Sequence, residues 1–202
     1  ERHRTPWGPA VNFDGPGSEE VRRFFLDNAA MWLRDYHIDA LRVDAVHAIV
    51  DTSALHFLED LARRVGDLEI ELGRRLALIA ESDLNDPRIV TERAAGGYGF
   101  DAQWSDDFHH ALHALLTGER SGYYADFGRM EHLARALRNN FVYDGCYSKF
   151  RGRAHGRSAA ARHGAHDGAA PRGRRRVAER GLLDEVAVAA AEIAGVLRAG
   201  GN

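Results

Sequence analysis

The chain has 202 residues, of which 45% are apolar and 9% aromatic, with a formal net charge of −3; that is enough apolar material for one domain-sized core. The nearly balanced charge gives no reason to expect a nucleic acid or an anionic membrane as partner, and no apolar run approaches the roughly 20 residues that span a bilayer. A single cysteine, Cys146, rules out an internal disulfide, and no secretory leader follows Glu1, so the cytoplasm is the expected compartment.

In chain order, Pro6, Gly8, Pro9, Gly15, Pro16 and Gly17 mark a structured loop. Ser18 offers a cap to a helix whose first turn carries Glu19 and Glu20. Val21, Phe24, Phe25, Asn28 and Trp32 recur at helical spacing, which predicts an amphipathic helix to about His37 with Phe24, Phe25 and Met31 in its core. The short apolar run ending at Asp44 reads as one buried strand. Thr52 and Ser53 are candidate caps for a second helix with a buried stripe of Leu55, Leu58, Leu61, Ala62 and Val65. Leu76 to Ala80 reads as a second strand, ending at Glu81. After Gly96-Gly97-Tyr98-Gly99 comes a third, about Phe100 to Trp104, and Asp106-Asp107 caps a helix through Leu116. This alternation predicts an α/β fold with a parallel sheet and helical crossovers. Beyond Phe150 no aromatic residue recurs, and Arg151 to Arg176 is rich in Arg, Ala, Gly and His without apolar periodicity, so poor order is expected there.

Two apolar runs that end abruptly in a carboxylate, Asp44 and Glu81, carry the chemistry. In a parallel α/β barrel the carboxyl ends of the strands form the floor of the site. Neighbouring strands lie about 4.8 Å apart, so the two make a candidate acid/base or nucleophile pair. Arg42 shares a strand face with Asp44 and is placed to orient it. Plainer readings exist for each: Asp44 as an ion-pair partner of Arg42, Glu81 as a loop cap through Ser82 and Asp83, and His109 and His113 as solvated or capping residues, since no third metal ligand is evident. Arg172 to Arg176 alone is weak support for a nucleic-acid patch.

Asn12-Phe13-Asp14-Gly15-Pro16-Gly17-Ser18, Asp39 through His47, Ala80-Glu81-Ser82-Asp83-Leu84-Asn85-Asp86, Asp101 through His110 and Gly122-Tyr123-Tyr124 together resemble the maltooligosyltrehalose trehalohydrolases of the α-amylase family, from about Thr5 to Ser158. The resemblance implies a (β/α)8 TIM barrel, of which this chain would supply about strands 4 to 6. It implies Asp44 as nucleophile and Glu81 as general acid/base, with Arg42 holding Asp44. His47 would contact sugar on the leaving-group side, and Trp104, Asp106 and Asp107 would line the cleft. The implied substrate is maltooligosyltrehalose or a related α-glucan, cut at the α-1,4 bond next to the terminal trehalose, with no metal or organic cofactor. The family's third carboxylate, in an Asn-His-Asp motif, has no counterpart here; the nearest echo, His166-Asp167, follows Ala165 and is assigned no role. The expected organisation is a central barrel portion at 1–158 and a divergent, poorly ordered tail at 159–202, inactive by itself. The alternatives are a glycogen branching enzyme or other α-amylase relative, against which the Gln103 to His110 run argues, and a non-catalytic glucan-binding remnant.

Overall fold

A computed structural model describes residues 2–157, so the tail expected at 159–202 and the His166-Asp167 pair lie outside the described residues. The described residues divide into two compact units: those up to Ser82 with Pro87–Gln103, and Asp83–Asp86 with the chain from Trp104 to residue 157.

The first unit opens with a two-stranded antiparallel hairpin, β1 (Arg4–Thr5) and β2 (Gly8–Pro9). Helix α1 (Ser18–Arg34), strand β3 (Ala40–Val43), helix α2 (Phe57–Leu72) and strand β4 (Ala77–Glu81) follow, and a three-stranded sheet forms in the order β3, β4, β5 (Ala102–Trp104). β3 and β4 are parallel, with Ala40 opposite Ala77 and Val43 opposite Ala80. The alternation expected of strands then sorts the side chains. Leu41, Val43, Leu78 and Ala80 face the core built with Leu33 of α1 and Leu58, Leu61, Val65 and Leu68 of α2. Ala40, Arg42, Ala77 and Ile79 take the other face.

The helices depart from the sequence pattern in instructive ways. α1 buries Arg22, Ala29, Ala30 and Leu33, while Phe24 is 67% exposed and Trp32 is also exposed. Small residues let α1 lie close on the sheet, and the aromatic stripe falls outside it. Ser18 is the first helical residue rather than the cap, a position taken by Gly17 at φ 76° without a side-chain bond. α2 starts at Phe57, and its cap is His56, whose ring accepts from the Leu58 N–H at 3.2 Å. Thr52 and Ser53 are used elsewhere. The Thr52 N–H and hydroxyl donate to Asp14 at 3.0 and 2.6 Å, and the Ser53 N–H donates to Asp51 at 2.8 Å. Asp14 also meets His3 Nε2 at 2.9 Å, and these hydrogen bonds, those of Thr52 foremost, hold its carboxyl well below the usual range. Buried Arg22 reaches Asp51 at 2.7 Å, Asp60 at 3.2 Å and the carbonyls of Leu55 and Phe13. Two carboxylates and two carbonyls compensate the buried guanidinium, and the loop beyond β3 is tied to both helices.

The second unit contains helix α3 (Asp106–Thr117), helix α4 (Met130–Asn139) and the antiparallel hairpin β6 (Asp144–Ser148) and β7 (Arg153–Gly156). Its core joins Phe108, Ala111, Ala114, Phe127, Ala136, Val142 and Tyr143. Ser105, not Asp106 or Asp107, caps α3 by accepting from the Phe108 N–H at 3.3 Å. β7 corrects the expectation of poor order over residues 151–157. Arg151 pairs with Asp83 at 2.8 Å, and buried His155 places Nε2 2.6 Å from the Asp83 carbonyl oxygen. Gly156, at φ 73°, passes so close to the Tyr143 carbonyl that a Cβ would collide with it. The order here comes from an ion pair, a ladder and one glycine, none of which produces an apolar period. Among the described residues no helix is long and apolar enough to cross a membrane.

Candidate active site

Strands β3 and β4 end in register, so the first residue beyond the ladder on one side is Asp44 and on the other Glu81, closing β4. Arg42, two residues before Asp44 on the same face, connects them. Its Nη1 lies 2.7 Å from Asp44 Oδ1 and its Nη2 lies 3.8 Å from Glu81 Oε2. One guanidinium thus holds both carboxylates at the carboxyl edge of the sheet. Their exposure differs: the Asp44 side chain is 74% exposed and that of Glu81 20%.

The chain leaves β3 through Ala45, whose N–H donates to Glu81 Oε2 at 2.7 Å, and a short 3-10 turn, Val46–Ala48. Val46 is buried and pins the turn to the core. His47 sits on that turn, half-buried, its ring 6.1 Å from that of the exposed Trp7. Beyond Glu81, Ser82 is fully buried and its carbonyl accepts from Gln103 Nε2 at 3.1 Å, fixing the start of the loop. Arg42, Asp44, His47 and Glu81 therefore gather in the first unit. The Ala45 amide and Trp7 join them without a sequence signal: a backbone N–H has no residue signature, and Trp7 lies in a Gly/Pro-rich loop far from either strand.

Trp104, Asp106 and Asp107 belong to the second unit. Trp104 is exposed and Asp106 half-buried. Asp107 is only 4% exposed, and its Oδ2 accepts from the N–H groups of Val142 at 2.6 Å and Tyr143 at 2.8 Å and from Asn85 Nδ2 at 2.8 Å. Burial raises its carboxyl above the usual range, with the three donors pulling the other way. Asp107 organises the core of its unit instead of offering oxygens to a cleft. His113 bonds Glu119 at 2.9 Å and stacks on Tyr124 at 4.1 Å, and among the described residues no cluster of three or more His, Cys, Asp or Glu could hold a metal.

Over 151 residues the chain is 60% identical to malto-oligosyltrehalose trehalohydrolase of Arthrobacter ramosus, an alignment covering 75% of this chain and 26% of that protein. The enzyme of the same name from Saccharolobus solfataricus is 51% identical over 158 residues, 78% of this chain and 27% of its own. The chain belongs to the malto-oligosyltrehalose trehalohydrolase family. It spans about a quarter of the length of these family members. A crystal structure of a putative alpha amylase from Salmonella typhimurium superposes with a TM-score of 0.69 at 36% identity, over 79% of this chain and 27% of that one. No family model matches.

Proposed function

We propose that the chain carries the nucleophile and the acid/base of a trehalose-releasing glycoside hydrolase, on about strands 4 to 6 of a (β/α)8 barrel, and is inactive without the rest of it. The observation that carries this reading is the pair Asp44 and Glu81, one strand apart and held by a single arginine, in a chain closely similar to enzymes of that name. Arg42 occupies Asp44 Oδ1, which leaves Oδ2 to attack the anomeric carbon. Glu81 protonates the departing glycosidic oxygen and then, as a base, takes a proton from the water that cleaves the glycosyl ester. Both steps use only carboxyl groups and water, so no cofactor is invoked. His47 contacts the sugar on the leaving-group side. The substrate is maltooligosyltrehalose or a related α-glucan.

The test places residues 5–157 into the full-length Arthrobacter ramosus relative in place of its matching segment. The chimaera is expected to release trehalose from maltooligosyltrehalose, and Asp44→Asn or Glu81→Gln to lower the rate by roughly a thousandfold or more. New α-1,6 branches in place of free trehalose would support a branching enzyme. Retained hydrolysis in both variants would overturn the assignment.

A further inference from the structure

The residue after Asp44 adopts a backbone conformation that its side chain disfavours. Ala45 has φ 44° and ψ 45°, the left-handed region in which a Cβ crowds its own carbonyl and which glycine enters freely. The turn is nevertheless closed on both sides: the Ala45 carbonyl accepts from the Ala48 N–H at 2.8 Å, and Val46 is buried. A strained residue fixed by its surroundings at a candidate site is a motive to ask what the strain holds. Here it turns the Ala45 N–H across the sheet edge, onto Oε2 of Glu81 at 2.7 Å. Arg42 Nη2 stands 3.8 Å from the same oxygen. Oε2 is thereby the anchored atom of this carboxyl group.

We propose that Ala45 is a positioning residue for proton transfer: its N–H anchors Oε2 of Glu81, so that the transferable proton is carried on Oε1. This rests on the reading of Glu81 as acid/base and adds which oxygen works and what selects it. The Ala45 N–H and the nearby Arg42 cation both turn positive charge on Oε2, so the carboxyl keeps its negative end there and its proton on Oε1. In the first half-reaction the Oε1–H bond breaks and the proton goes to the glycosidic oxygen. The C1–O bond breaks with its electron pair on the leaving trehalose, and Asp44 Oδ2 bonds to C1. In the second, water gives a proton to Oε1 and its oxygen to C1, and the ester bond returns its pair to Asp44. The left-handed turn keeps the N–H aimed through both halves, so the acid and the base are the same atom.

The chimaera described above tests this with two substrates: maltooligosyltrehalose, whose leaving oxygen needs the proton, and an α-maltosyl fluoride, whose fluoride leaves with little help from an acid. Replacing the Ala45 amide by an ester removes the N–H and little else. The expected result is a roughly tenfold or greater loss of trehalose release relative to fluoride release, at an unchanged melting temperature. Ala45→Val, whose branched side chain disfavours the left-handed turn, reaches the same selective loss by a second route. Equal losses on both substrates, or no loss in either replacement, would overturn the inference and leave the underlying reading intact. A folded parent chimaera inactive on both substrates would overturn that reading too.

Discussion

Asp107 offers a sharp test, because sequence and structure give it different work. Three buried donors, the Val142 and Tyr143 N–H groups and the Asn85 amide, converge on its Oδ2 within 2.6 to 2.8 Å. Asp107→Ala leaves all three without a partner, at about 1 kcal/mol each on the low side of the usual penalty, so a loss of about 3 kcal/mol is expected. Asp107→Asn keeps an acceptor oxygen. It weakens bonds that were charge-assisted, but it also relieves the burial that holds the carboxyl above its usual range. Those effects oppose each other, and a change within about 1 kcal/mol is expected at neutral pH. Urea unfolding of the chain followed by far-ultraviolet circular dichroism measures both. An Asp107→Ala variant as stable as the parent, or an Asp107→Asn variant as damaged as Asp107→Ala, would refute the structural role. In the chimaera, a folded Asp107→Asn variant that lost substrate affinity would return the residue to the cleft.

Other consequences are as direct. Arg22→Met leaves Asp51 and Asp60 facing each other without their cation, at a cost of about 3 to 5 kcal/mol; thermal melting checks this, and Asp51→Asn added to it should recover part of the loss. His110 packs against Tyr123, Tyr124 and Phe127, and burial first of all holds its imidazole down at about 4. Since the folded state then binds a proton less readily than the unfolded one, the contribution of His110 is complete above the ordinary value of 6.5 and is lost as pH falls towards about 4. Unfolding curves across that window should be shallower in pH dependence by about 1 kcal/mol in His110→Phe; an unchanged slope would show that the ring is not sheltered.

What could be read in advance was whatever depends on the local chain. Runs such as Leu76 to Ala80 and Leu41 to Val43 are strands because they are short, apolar and stopped by a carboxylate, and the register that sets Asp44 level with Glu81 follows from two such strands pairing in parallel. The orientation of α1 was not legible. Periodicity ranks Phe24 and Trp32 as core, but close contact with the sheet favours Ala29 and Ala30, so the large rings face out. The ordering of β7 depends on Asp83, distant in sequence from Arg151 and His155, and no window along the chain contains both. The caps show the same limit: a Ser or Thr ahead of a helix signals a cap only if no stronger acceptor claims it, and Asp14 and Asp51 claim Thr52 and Ser53.

The outward rings of α1 have a practical corollary. Trp7, Trp32 and Trp104, the chain's full complement of tryptophan, are all exposed to water. Their emission in the native chain should already resemble that of the denatured one, so intrinsic fluorescence is a poor thermometer of folding. The same property makes these indoles sensitive reporters of anything that covers them: a sugar laid over Trp104, or protein packed on Trp32, should register as a shift to shorter wavelength against a nearly constant background.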